Sequence, residues 1–309
     1  MINVKDNNTM MYTDLAVEIQ EECSGRQGEI PGVVLEQYKE DDKCIRVTKI
    51  QIKTADGAKR MGRPIGNYMT LESADKGHSI TKLPDTKLLA SYINKLLPSS
   101  AHSFLIVGLG NANMTADALG PLTIEKMAQS GMASYTSMIV PGVFAQTGME
   151  SSEIIQGIVQ QTSPDCIITI DALAARNTKR LNRTIQVTDT GINPGSGVGN
   201  HRHGLNEKSI GVPVIAIGVP TVVDAATIVN DTMFNLITAM NQSSELKTLG
   251  NTLGELNETE KYELIRELLS PHLNTMFVTP KDIDESVKRL SFTISEGLNI
   301  ALIDHNIFA

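Results

Sequence analysis

The chain contains no tryptophan, and aromatic residues make up only 4% of its 309 positions. That scarcity argues against a single-stranded nucleic-acid surface built from stacking rings. Positive charge is also short, with 27 Lys and Arg against 35 Asp and Glu for a net charge of −8, so direct nucleic-acid binding is not expected as the main function. Lys179, Arg180 and Arg183 form a local basic patch, which reads as ordinary solvated surface. Cysteine is limited to Cys23, Cys44 and Cys166 at unrelated spacings, too few and too irregular for a disulfide framework. Cys166 lies in an apolar run, where a reduced, buried thiol is expected, and a reducing intracellular compartment fits best. No apolar run approaches the length that spans a bilayer. The segment Met1 to Met11 is polar, so neither a secretory leader nor a membrane anchor is expected there.

What is present is a pattern for one α/β domain, or one domain with a smaller appendage. Residues 1–14, rich in Asn, Asp and Met without periodicity, read as a loosely held arm. Between residues 32 and 71 the pattern is β, with strands expected at 33–35, 44–52 and 67–71. The turn signals Ala55-Asp56-Gly57 and Arg63-Pro64 lie between them, which predicts a meander at the edge of the main sheet. From residue 85 helices and strands alternate. Helices are expected over 87–97, 121–129, 151–161 (capped by Ser151 or Ser152) and 221–240, and amphipathic ones over 259–269 and 281–302. Strands are expected over 104–109, 138–140, 165–170, 184–188 and 212–219. This order favours a parallel sheet with helices on both faces.

The chemistry is signalled by an Asp-Ala-Leu triplet that occurs twice. Asp117-Ala118-Leu119-Gly120-Pro121 follows the strand at 104–109, and Asp171-Ala172-Leu173 directly follows the strand at 165–170. Strands of an open parallel sheet present their carboxyl ends to the ligand crevice, so Asp117 and Asp171 can face one another across one site. Paired carboxylates share a proton and do acid/base work on water. Gly108-Leu109-Gly110-Asn111-Ala112-Asn113 starts like a dinucleotide loop but lacks the third glycine. It reads as a tight turn that returns Asp117 over the strand ends, with a nucleotide-dependent enzyme as the alternative. The glycine-rich loop from Gly191 to Asn200 includes Gly195, Ser196 and Gly197, whose backbone N–H groups can hold a substrate or an oxyanion; a flexible surface loop is the equal alternative. Ser196 lacks the strand-to-helix setting of a nucleophile elbow. His201 and His203 are the alternative metal ligands, with Asp117 and Asp171 as oxygen partners. No cofactor is expected, a divalent metal being the alternative. Asp189 and Asp224 read as a turn cap and a helix first-turn acid.

Several long runs resemble the germination protease family of endospore-forming bacteria. They are Leu105-Ile106-Val107-Gly108-Leu109-Gly110-Asn111, Asp117-Ala118-Leu119-Gly120-Pro121, Ile170-Asp171-Ala172-Leu173-Ala174-Ala175-Arg176, the loop from Asp189 to Asn200, and the run from Gly211 to Ala225. The resemblance extends from Tyr12 to about Leu302. It implies a three-layer α/β sandwich around a mostly parallel sheet, similar to hydrogenase-maturation proteases, preceded by the β-meander. It further implies a zymogen endopeptidase, homotetrameric and located in the cytoplasm of the forespore and spore core, that cuts small acid-soluble spore proteins at germination. Asp117 and Asp171 are the catalytic pair it implies, in a mechanism described both as aspartic-type and as metal-dependent. Family processing falls in a segment like Tyr12-Thr13-Asp14-Leu15-Ala16-Val17-Glu18, which predicts autocatalytic cleavage between Asp14 and Leu15, with residues 1–14 as propeptide and 15–309 as a single peptidase domain. A non-catalytic spore binding protein is the rival reading.

Overall fold

The computed structural model describes residues 13–40, 45–73, 83–130, 136–194, 204–254, 267 and 276–308. The elements run α1 (Ala16–Gln27), β1 (Val33–Glu40), β2 (Ile45–Ile52), α2 (Ala55–Met61), β3 (Gly66–Ser73), α3 (Thr86–Asn94), β4 (Phe104–Gly108), α4 (Leu119–Gln129), β5 (Thr136–Ile139), α5 (Phe144–Thr147), α6 (Ser151–Thr162) and β6 (Cys166–Ala175). They continue with β7 (Thr184–Thr188), α7 (Glu207–Ile210), β8 (Val214–Asp224), α8 (Ala225–Gln242), α9 (Lys247–Gly254), β9 (Phe277–Val278) and α10 (Ile283–Phe308).

All these strands join one mixed sheet in the order β1-β2-β3-β7-β8-β6-β4-β5, with β9 added to the end of β8. β5, β4, β6 and β8 are mutually parallel and form the centre that carries the cleft. The meander β1-β2-β3 is antiparallel and continuous with this centre, because β3 pairs with β7 and β7 with β8, both antiparallel. The expected α/β layering is therefore present, with an antiparallel half attached to a parallel one.

The core follows from strand alternation. Ile106 of β4, Cys166, Ile168 and Ile170 of β6, and Ile215 and Ile217 of β8 face α3, α4 and α10, through Leu89, Ile93, Met127, Leu290, Ile294 and Leu298. Leu105, Val107 and Ile167 face the other way, onto Ile155 and Val159 of α6. Next to that second layer, Leu15, Ala16 and Val17 at the start of α1 pack with Ile50, Ile52, Tyr68 and Leu173.

Several boundaries differ from expectation for physical reasons. β6 does not stop at Ile170 but runs to Ala175, so Asp171 lies inside a strand; β8 accompanies it through Val223, and that pairing holds an alanine-rich segment extended. Residues 221–224, expected to open a helix, complete β8, and α8 starts at Ala225 with Asp224 as N-cap, its carboxylate accepting from the Ala226 N–H. Ala55-Asp56-Gly57, expected as a turn, opens the short helix α2 because the Thr54 hydroxyl accepts from the Gly57 N–H. The N-cap of α6 is Glu150 rather than Ser151 or Ser152. Within the 1–14 arm, Thr13 and Asp14 are bonded into the domain. The helix expected over 259–269 lies outside the described residues except for position 267.

Candidate active site

Asp117 is delivered by backbone geometry. β4 ends at Gly108, and the chain turns at Gly110, whose φ is 106°. A Cβ at Gly110 would lie 2.0 Å from the Asp117 carbonyl oxygen, so only glycine fits this close approach. The Asn111 N–H then donates to Asp117 Oδ2 at 2.8 Å, closing the turn. Asp117 ends a 3-10 turn, Thr115–Asp117, and α4 begins two residues later. The first turn of α4 rests directly on the strand ends, since a Cβ at Gly120 would sit 2.4 Å from Leu109 O and 2.6 Å from Ile170 O.

Asp171 is 5% exposed, follows Ile170 in β6, and its Oδ1 accepts from the Ala172 N–H at 2.9 Å. Both acids line one cleft of about 480 Å³. Its walls are largely apolar, including Leu109, Met114, Val143, Leu173, Val222 and Phe277, and its polar groups are Asp14, Asp117, Ser151, Asp171, Thr221 and Thr279. An apolar cleft with a few convergent polar groups is the form that binding sites take.

Two hydroxyls fix the turn that carries Asp117. Thr221, fully buried, donates its Oγ1 proton to the Ala116 carbonyl at 2.6 Å, and Thr279 donates to the Thr221 carbonyl at 2.9 Å. Sequence reasoning misses both threonines. The β-branched run Thr221-Val222-Val223 is the signal that a strand continues past Pro220.

Asp14 and Leu15, the expected processing site, lie at the same place. Asp14 lines the cleft, its N–H donates to Ala174 O at 2.9 Å, and its Oδ2 accepts from the Ala174 N–H at 3.0 Å. The Asp14 carbonyl accepts from Gln186 Nε2 at 3.3 Å, and Leu15 and Ala16 are fully buried. Further on, Glu18 is 3% exposed and accepts from the Arg176 and Asn177 N–H groups at 2.7 and 2.9 Å and from the Thr13 hydroxyl.

Of the basic patch, Lys179 is exposed as expected and Arg183 half-buried, but Arg180 is not on the solvated surface. Arg180 is 7% exposed and is bound by Glu18 at 3.4 Å, Glu21 at 2.7 Å and Glu72 at 2.6 Å. Burial alone would lower its pKa, but these carboxylates outweigh that and hold it above the ordinary arginine value. Asp189 is a cross-link more than a turn cap: its carboxylate accepts from the Asn67 N–H and Nδ2 at 2.7 and 2.6 Å, tying β3 to β7.

Gly195, Ser196, Gly197, His201 and His203 lie outside the described residues. Among the described residues no cluster of three or more His, Cys, Asp or Glu could hold a metal ion, and no helix is long and apolar enough to cross a membrane.

A mixed α/β sheet whose parallel centre opens into a cleft lined by Asp14, Asp117 and Asp171 has the form of an enzyme's substrate site. A family model described as germination protease matches residues 10–247 and 238–307. A germination protease of Clostridium tetani is 45% identical over 307 residues, covering 94% of each chain. One from Caldanaerobacter subterraneus is 43% identical over 307 residues, covering 94% of this chain and 93% of the other. That of Bacillus subtilis is 36% identical over 350 aligned positions, covering 96% and 94%. The chain belongs to the germination protease family and is an endopeptidase. Among solved structures it is similar to the [NiFe] hydrogenase maturation protease HycI from Thermococcus kodakarensis, at 17% identity and a TM-score of 0.37 over 67% of this chain and 99% of that one. The hydrogenase maturating endopeptidase HybD from E. coli matches at 14% identity and a TM-score of 0.28, over 46% and 94%.

Proposed function

We propose that this endopeptidase initiates the degradation of small acid-soluble spore proteins at germination, working in the cytoplasm of the spore core as a homotetramer made in zymogen form. The observation that carries the reading is the single cleft that Asp117, Asp171 and Asp14 share. One carboxylate of the Asp117/Asp171 pair, ionised, takes a proton from the attacking water. The other, protonated, hydrogen-bonds the scissile carbonyl and later protonates the leaving amine. The buried, apolar setting of Asp171 suits a site where the two acids share a proton.

Residues 1–14 are the propeptide in this reading, with processing between Asp14 and Leu15. As docked, that bond is out of reach of a protease: the Asp14 carbonyl is engaged by Gln186, and Leu15 and Ala16 are fully buried. Cutting therefore requires the segment to leave its bed first, which supports a precursor that stays silent until local opening occurs.

The test is incubation of the full chain with a purified acid-soluble spore protein, followed by N-terminal sequencing of every product. The expected result is fragmentation of the spore protein and a processed enzyme that begins at Leu15. An intact spore protein, or an enzyme processed elsewhere, contradicts the reading.

A further inference from the structure

We infer that the edge of β6 beyond Ile170, presented by Ala174 and by the carbonyl of Ala172, whose N–H is held by Asp171 Oδ1 at 2.9 Å, is where an extended polypeptide substrate adds as a strand, and that Asp14 occupies it in this structure. The inference rests on the reading of the cleft as the place of hydrolysis. β4 stops at Gly108, opposite Ile170, and the Leu109 N–H gives its bond to Ile170 O at 2.8 Å. β6 runs five residues further with β8 on one side only. Backbone groups of alternate strand residues point to the same side, so Ala172 and Ala174 direct theirs, as Ile170 does, to the side that β4 has left. That side is the cleft, which Ala172 and Ala174 line together with Asp117 and Asp171.

One residue takes up both backbone groups of Ala174. Its carbonyl accepts from the Asp14 N–H at 2.9 Å, as in a sheet ladder, while its N–H donates to Asp14 Oδ2 at 3.0 Å. The carboxylate oxygen stands where the peptide carbonyl of an added strand would accept. From Asp14 at Ala174 to Glu18 at Arg176 and Asn177, the segment runs in the direction of β6. A polypeptide bound in that direction places the residues preceding its Ala174 partner alongside Ala172 and Asp171. Main-chain bonds of this kind hold an unfolded chain largely irrespective of its side chains, and flanking apolar pockets add preference. Once the segment has lifted and been cut after Asp14, the occupant of Ala174 is no longer tethered to the chain, so processing leaves the edge open.

The test is amide hydrogen exchange on the full chain carrying Asp14→Pro, which has neither the N–H nor the carboxylate. The Ala174 amide is expected to exchange ~10-fold faster or more than in the unsubstituted chain, with Ile168 unchanged. A C-terminally amidated peptide copying residues 8–14 then restores protection at Ala174, and the same peptide N-methylated at its aspartate does not. Should proline perturb the fold, Asp14→Ala, which removes the carboxylate alone, gives the same acceleration at Ala174. Unchanged exchange at Ala174 in both variants, equal protection by the two peptides, or protection by neither overturns the strand site. Its failure is separable from that of the acid pair: loss of hydrolysis in Asp171→Asn without peptide protection sinks the strand site alone. Protection with a fully active Asp171→Asn sinks the catalytic reading alone.

Discussion

At the scale of single residues, the position of Asp117 depends on Thr221. The pairing of β6 with β8 shifts there, with Leu173 opposite Pro220 and Ala174 opposite Val222, leaving Thr221 as the extra residue of a bulge. The shift flips the side-chain alternation: Val219 packs on the α10 face and Val223, four residues on, packs with Leu15 on the other. Bulges re-aim side chains beside active sites, and here the result is the 2.6 Å bond from Thr221 to the Ala116 carbonyl. Thr221→Val keeps the volume and removes the donor; it is expected to lower kcat ~10-fold with KM little changed, the pattern of a lost geometric constraint. Thr221→Ser restores kcat. An unchanged kcat in the valine variant excludes the positioning role. The two acids were legible in the sequence because each stands in a repeated triplet beside an apolar run. Thr221 was not, because a bulge exists only once two distant strands have chosen their register.

At the scale of elements, α1 is fastened to the β6–β7 connection by ions. The buried Arg180 receives Glu18 of α1 and Glu72 of β3 in the interior and the exposed Glu21 of α1 from the surface. Removing one partner of a buried ion pair leaves the others uncompensated, so Arg180→Leu is expected to destabilise the fold by about 3 kcal/mol, read as a lower denaturation midpoint. A midpoint equal to that of the parent contradicts the buried assignment. This cluster was illegible because Lys179, Arg180 and Arg183 spell a surface patch until Glu18, 162 positions away from Arg180, is brought beside it. A second fastening joins the starts of β4 and β6. The His102 N–H, the Ser103 hydroxyl and the Ser103 N–H donate to the Asp165 carboxylate, holding its pKa below the ordinary value. A depressed folded-state pKa contributes stability above the unfolded-state pKa that is lost as pH falls through the lowered value. Asp165→Asn is therefore expected to flatten the acid limb of the stability curve. An acid limb as steep as the parent's excludes this role.

At the scale of the whole molecule, the meander, the alternation of helices and strands and the two-faced core were all readable from hydrophobic period. Strand order was not, because nothing local specifies that β3 crosses to pair with β7 and so joins the meander to the parallel centre. The interior that results is tightly closed. Burial pushes the Cys166 thiol up to about 12, whereas Cys23 is only half-buried. The reactive species is the thiolate, so a thiol reagent at neutral pH is expected to label Cys23 in the folded chain and Cys166 only on unfolding, as mass spectrometry of the labelled peptides would record. Early labelling of Cys166 contradicts a closed core. The hydrolytic role proposed for Asp117 and Asp171 is read from the rate at which purified, folded Asp117→Asn and Asp171→Asn chains cut an acid-soluble spore protein. Each rate is predicted to fall by ~10²–10⁴-fold, the worth of a proton-transfer group, and a rate within about threefold of the parent in either variant would contradict that role.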